Sequence, residues 1–326
     1  MVMAQKALYN SLRMGSSNGS MWVEPWKVED LRLGEDEQLF ERLKKKNFVL
    51  DRTSFRSWAD QFDTPEEMTV WLVGEEGLDP EEYDQIYLIV FELWRRLMPE
   101  KPSISVLCDE VDQQIFYYDR DVEGHFEELQ DVLGKLLATM QENVDWGLDP
   151  QEVFSSILEY CAHDVERFLY DYIADQIDSD QYDFAQELID QFYPFVLDKA
   201  WFDLLRARLI GLHSPQEALR IARELISSET CSDPLELNFE ILIFAFSMGF
   251  SDLFKEVVLQ TLKLIETEDD FIELLGCIVD FYRSAGSEEM AKNIEQMIAK
   301  RGATASSKAF APKDGDRLSI QRLFEV

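Results

Sequence analysis

Cysteine and histidine are scarce in this chain of 326 residues, with four of the first and three of the second. Cys108, Cys161, Cys231 and Cys277 stand 53, 70 and 46 residues apart, so none has the close pairing of a disulfide framework or a zinc knuckle. They read as small buried hydrophobes in a reducing, cytoplasmic compartment. His125, His163 and His213 lie far apart, and none sits four residues from a Cys or carboxylate pair, so no zinc site of the usual kind is expected. Fourteen Gly and ten Pro are few for a β-rich or loop-rich protein. The longest apolar runs are pieces such as Ile241-Leu242-Ile243-Phe244-Ala245-Phe246, far short of the 18 or so residues that a membrane span takes. The N-terminus has no basic region followed by an apolar core, so no secretory signal is expected.

Positive charge is also short. The chain carries 31 Lys+Arg against 65 Asp+Glu, a net charge of −34. Residues 1–30 and 302–326 are nearly balanced or slightly basic, so the whole excess falls on the body between them. Such a surface repels phosphate backbones and anionic head groups, which excludes nucleic acid and membrane as natural partners. It attracts basic or amphipathic proteins, or it simply keeps the chain in solution. Gly-x-Gly-x-x-Gly, the phosphate-cradling Gly-x4-Gly-Lys-Ser/Thr and the Gly-x-Ser-x-Gly elbow are all missing. Acidic pairs carry no information when 65 carboxylates are present. No enzymatic activity and no cofactor are therefore expected.

What is present is apolar surface at helical spacing. Hydrophobic residues make up 46% of the chain, enough to exclude wholesale disorder. From Asp164 to Arg301 four segments lie over one another: Ser179–Ala185, His213–Ala218, Gly249–Phe254 and Gly286–Ala291. Each runs from a turn through a Ser or Asp cap into a helix with acidic or Gln residues in its first turn. With Ala185, Ala218, Phe254 and Ala291 as the shared position, the spacings are 33, 36 and 37. Each unit also has a preceding helix with one apolar face. Leu205, Leu209 and Leu212 mark one such face, followed by Leu219, Ala222, Leu225 and Ile226 on its partner. Such helices cannot bury their faces alone, so pairs must stack on pairs.

A period near 34 built from two short helices resembles the tetratricopeptide repeat. Tyr282-x3-Gly286-x4-Ala291 reproduces that family's aromatic, turn glycine and small crossing residue; Leu209, His213 and Ala218, then Ala245, Gly249 and Phe254, match less closely, and the first unit keeps Ala185. The resemblance implies an all-α protein whose groove is lined by the first helix of each pair. Carried across unit by unit, it points to Arg167 and Tyr170, Asp203, Phe239 and Phe246, and Asp280 and Arg283. It also implies a non-enzymatic scaffold or adaptor that takes a peptide or basic protein. Two alternatives stay open: a cytoplasmic chaperone for a secreted or aggregation-prone client, and a calcium-responsive helical protein.

The expected order is a flexible arm at 1–35, an irregular helical domain at 36–147, helical-hairpin repeats at 148–301 and a flexible tail at 302–326. In the arm, Met14–Ser20 reads as loose, and Trp22 and Trp26 flank Pro25 ready to dock. In the helical domain, starts are predicted at Asp36, Thr53, Thr64-Pro65, Asp79-Pro80, Pro102 and Phe126, and a further one follows at Asp149-Pro150. Asp119, Asp121 and Glu123, with Gly124, resemble the opening of an EF-hand calcium loop, but Gln130 stands where the bidentate Glu belongs. Asp109-Glu110-Val111-Asp112 matches the tetrapeptide cut by apoptotic caspases, inside a predicted helix. In the tail, Leu318, Ile320, Leu323 and Phe324 form an apolar motif that either docks on another protein or folds back on its own body. The sequence leaves the oligomeric state open.

Overall fold

Short polar caps followed by proline and glutamate start many of the helices. Thr64 Oγ1 accepts the Glu67 N–H at 3.2 Å ahead of Pro65. Asp149 accepts the N–H groups of Gln151 and Glu152 ahead of Pro150, and Asp233 that of Glu236 ahead of Pro234. Each satisfies a backbone donor that the helix cannot use, while proline presets the first turn. The computed structural model describes residues 4–15, 23–74, 79–226, 231–301, 309–311 and 314–325. It is all-α: among the described residues there are seventeen α-helices, two short 3-10 turns and no strand. The one extended contact is an isolated bridge between Thr267 and Ala309. No helix among these residues is long and apolar enough to cross a membrane. The chain divides into two compact units, Met1–Leu169 and Tyr170–Val326.

The first unit holds α1 (Gln5–Gly15), α2 (Asp36–Lys45), α3 (Arg52–Ala59), α4 (Pro65–Val73), α5 (Pro80–Leu97), α6 (Ile104–Tyr118), α7 (Phe126–Asp145) and α8 (Pro150–Leu158). Its hub is α5. Ile86, Tyr87, Val90, Phe91, Leu93 and Trp94 are all but fully buried there, against α2, α3 and α4. The arm expected at 1–35 contains α1, which packs on α6 and buries Ala7, Tyr9 and Asn10. Trp26 docks within the same unit, 5.7 Å from the Tyr9 ring. Trp22, Ser16–Ser20 and the linker 302–307 lie outside the described residues. The division between units falls after Leu169 rather than 147, because α8 packs back on α7.

The helix α9 (Val165–Asp178) opens the second unit's pattern. It continues as α10 (Tyr182–Phe192), α11 (Lys199–Gly211), α12 (Pro215–Ile226), α13 (Pro234–Ser247), α14 (Ser251–Leu264), α15 (Glu268–Ser284), α16 (Glu288–Arg301) and α17 (Gly315–Phe324). The pairs α11–α12, α13–α14 and α15–α16 pack most closely. Successive pairs touch through like members, α11 on α13 on α15 in one row and α12 on α14 in the other. The corners repeat as well. Asp180, Gly249 and Gly286 each have positive φ (60°, 70° and 71°), and the next N–H bonds back to the carbonyl five residues earlier, at 2.8 Å each time. This left-handed closure caps a helix end and favours glycine. His213 departs from it. Five residues beyond each corner the shared positions Ala185, Ala218, Phe254 and Ala291 are buried.

The end of the chain is not loose where it is described. Ile320 and Phe324 are buried, Leu323 is half-buried and Leu318 is exposed. Phe324 reaches Phe254 and Tyr282, and Phe310 stacks on Phe271 with ring centres 4.5 Å apart. Arg301 binds Glu268, Asp314 and Asp316 at 2.7, 2.5 and 2.9 Å. Of the two fates open to the tail motif, the structure shows the fold-back. Phe254 stands where the other units have alanine, and its bulk gives α17 something to pack on.

Candidate protein-docking face

The first helices of the pairs form one row, and their side chains give it three zones. At one end, Tyr170 on α9 is buried and donates its hydroxyl to Glu240 on α13 at 3.0 Å. Its ring stands edge-on to Trp201 of α11, 5.0 Å between centres. Burial, then the Glu240 carboxylate, pushes the Tyr170 hydroxyl far above its ordinary pKa, so it stays a donor. In the middle, α13 exposes Ile243 (55%) and Phe246 (39%). An exposed Ile beside an exposed Phe is apolar surface that the fold has not used.

The third zone is acidic. Glu236, Glu240 and Ile243 share one face of α13, and Glu273, Cys277 and Asp280 share one face of α15, by helical spacing. Each of these residues has its counterpart 37 positions on in the neighbouring pair. Because α13 packs against α15, like positions lie across from one another. The Glu273 carboxyl is raised by partial desolvation, then by Glu236 across the row and by Asp270. The Cys277 thiol is pushed up to about 11 by burial, then by Glu273, Asp280 and Glu240. These carboxylates repel one another, so the surface gains from an incoming cation.

The expected groove residues separate into three groups. Tyr170 and Phe246 belong to this row, and Asp280 lies on its acidic side. Phe239 is buried in the core of the second unit. Asp203 turns away, since it pairs with Arg206 at 3.7 Å and bonds the Tyr193 hydroxyl. Arg283 pairs with Asp280 at 3.8 Å and with Glu295 of α16. Arg167, exposed on α9, lies in the first unit, with its N–H on Asp164 Oδ1. Trp201, Glu236, Glu240, Ile243, Glu273 and Cys277 were missed; the 37-residue register of α13 and α15 is the signal that finds the last five, whereas Trp201 on α11 has no such counterpart.

The calcium-loop candidate has a different geometry. Asp121 has φ of +50°, and the Val122 N–H closes on the Tyr117 carbonyl at 3.1 Å, so Asp121 ends α6 in the left-handed cap position. Asp119, Asp121 and Glu123 are exposed, and among the described residues no three His, Cys, Asp or Glu side chains converge as a metal set.

Polar side chains also converge inside the first unit. Asn10 Nδ2 donates to Asp109 Oδ1 and to Asp112 Oδ2, both at 3.0 Å. Only the amide nitrogen can face two carboxylates, which fixes its orientation. Lys6 and Arg32 pair with Asp109. Asp112 accepts the N–H groups of Ala162 and His163 and faces His163 Nδ1 at 3.1 Å. Burial opposes the Asp109 charge, but Lys6 and Arg32 overcome it and hold the carboxyl well below the usual range. Every group here is matched by another group of the chain, so the network joins α1, α6 and the end of α8. The caspase-type tetrapeptide is thus helical, with both aspartates buried.

Comparison with known proteins gives no family: no family model, no curated protein and no solved structure matches this chain.

Proposed function

We propose that the second unit is a helical-hairpin repeat of the tetratricopeptide type and that the protein is a non-enzymatic scaffold or adaptor. It grips another protein on the row of first helices. The observation that carries this is the exposed Ile243–Phe246 surface of α13, set beside the carboxylates of α13 and α15. Support for the repeat comes from the left-handed corners at Asp180, Gly249 and Gly286 and from the buried residue five positions beyond each. Apolar anchors inside a charged rim are how protein interfaces combine affinity with specificity. The test compares the wild type with the double variant Ile243→Asp, Phe246→Asp in quantitative capture from the native host. Loss of specific partners at an unchanged melting temperature supports the reading. An unchanged set of partners refutes it.

A further inference from the structure

Resting on that reading, we infer that the α13–α15 face docks one amphipathic helix of a partner protein, apolar along its contact stripe and flanked by lysine or arginine. Three features of the face select this occupant.

The apolar anchors come first. Ile243 and Phe246 lie three residues apart on α13, so they offer a short ridge along a helix axis rather than a deep hole. A ridge of this kind is matched by residues at i, i+3, i+4 and i+7 of a second helix.

Charge is the second feature. Glu236 and Glu240 flank the ridge on its own helix, and Glu273 and Asp280 face it from α15. A second copy of this chain, also carrying −34, is repelled from such a surface. The chain's own C-terminal helix is no competitor, because α17 is seated on α14 in the other row. Glu240 already accepts the Tyr170 hydroxyl and Asp280 already pairs with Arg283, but the face stays net acidic, so a partner with cations on both sides of its apolar stripe adds charge complementarity and covers the anchors together.

The third feature is Gly276, in the middle of α15 and beside Glu273, Cys277 and Asp280. A side chain built on it meets nothing within 4 Å, and its φ is not in the left-handed region. Neither packing nor backbone conformation within the chain calls for glycine there, although glycine inside a helix is destabilising relative to alanine. Gly134 of α7 has the same freedom and has Asp131 one turn before it, but no exposed apolar anchor flanks it. At Gly276 the missing side chain leaves room for another helix to approach closely.

The test uses the full chain and three synthetic peptides of about 20 residues, long enough for a stable helix. One has leucines at helical spacing flanked by lysines, one replaces the lysines by glutamates, and one scrambles the first so that its charge stays but its stripe is lost. Binding is followed by fluorescence anisotropy in low and in moderate salt. The lysine peptide is expected to bind at least tenfold more tightly than either control, and to weaken several-fold as salt screens the pairing. Ile243→Asp and the double reversal Glu273→Lys, Asp280→Lys should each weaken it more than tenfold. Gly276→Leu should do the same without lowering the melting temperature, which separates blocking from misfolding. Equal binding of the scrambled peptide overturns the proposal, since it reduces the face to bulk charge. Undiminished binding to Ile243→Asp overturns the site. If no peptide binds while the Ile243→Asp, Phe246→Asp variant still loses its partners in the host, the occupant is wrong but the scaffold reading stands. If that capture is unchanged as well, both fail.

Discussion

Among the described residues, the first unit buries nine polar side chains and the second buries three. In the first, Asn10, Asp109 and Asp112 join elements about a hundred residues apart in sequence. In the second, neighbouring pairs meet through apolar side chains, and the corners at Asp180, Gly249 and Gly286 recur. The two halves thus reach definite structures by different routes. A buried polar network closes in one arrangement, because any other leaves a charge without its partner. A stack of similar pairs gains its order from repetition, each pair needing only its neighbours. On our proposal, that stacking leaves one side of the row available for docking a partner.

The comparison can be broken at its strongest point. Asp109→Asn should cost about 3–5 kcal/mol, because Lys6 and Arg32 lose the carboxylate that justifies their burial. Urea unfolding followed by tryptophan fluorescence checks this, since Trp201 is the only tryptophan beyond residue 169 and Trp201→Phe removes its signal. The pH dependence has a definite sign. Asp109 has a lowered folded pKa, so its stabilisation is full above the ordinary aspartate value of about 4 and drains away as the pH falls below it. In Asp109→Asn that acid-side loss should be missing.

An equally large effect is expected in the other half. Phe254→Ala should cost about 3–5 kcal/mol, as it removes a ring stacked on Phe281 and touching Phe324. Trp201 fluorescence reports on it. A signal moved only among the other tryptophans would contradict the assignment of Phe254 to the core of the second unit. Arg301→Ala comes next, at about 2 kcal/mol, because three carboxylates lose a shared cation. Hydrogen exchange should show faster exchange in 315–324 and little change in α11–α13.

Smaller effects sharpen the contrast on the proposed docking face. Gly276→Ala should raise stability by about 0.5–1 kcal/mol, measured by urea titration. A loss of stability would mean that the chain itself needs glycine there. Glu273→Gln should give the slightest change. The folded Glu273 carboxyl is raised, so ionisation works against folding above that pKa and the penalty fades as pH falls through it. The variant should therefore melt higher than wild type near neutrality and equal it in acid.

Helix starts were legible in the sequence because their signals are local. The segment predicted to start at Asp36 is α2, Thr64-Pro65 opens α4 and Asp149-Pro150 opens α8. At α3 the cap is Asp51, which bonds the Ser54 N–H, rather than Thr53. The polar network was not legible, since Asp109 and Asp112 read as surface acids until Asn10 is brought to them. The row of first helices was half legible: Tyr170 and Phe246 follow from the period, but the 33-residue step lands on Asp203, and the side chain facing Tyr170 is Trp201, two positions earlier. Repeat spacing locates a helix, whereas which side of it faces outward depends on how each pair rotates against the next.

The buried tetrapeptide Asp109–Asp112 makes the first unit its own strain gauge. A protease that needs an extended substrate cannot seat a helix whose recognition aspartates point inward, so scission after Asp112 counts the moments when α6 is unwound. Under mild digestion, the lifetime of the intact chain becomes a clock for that opening, with no label or probe attached.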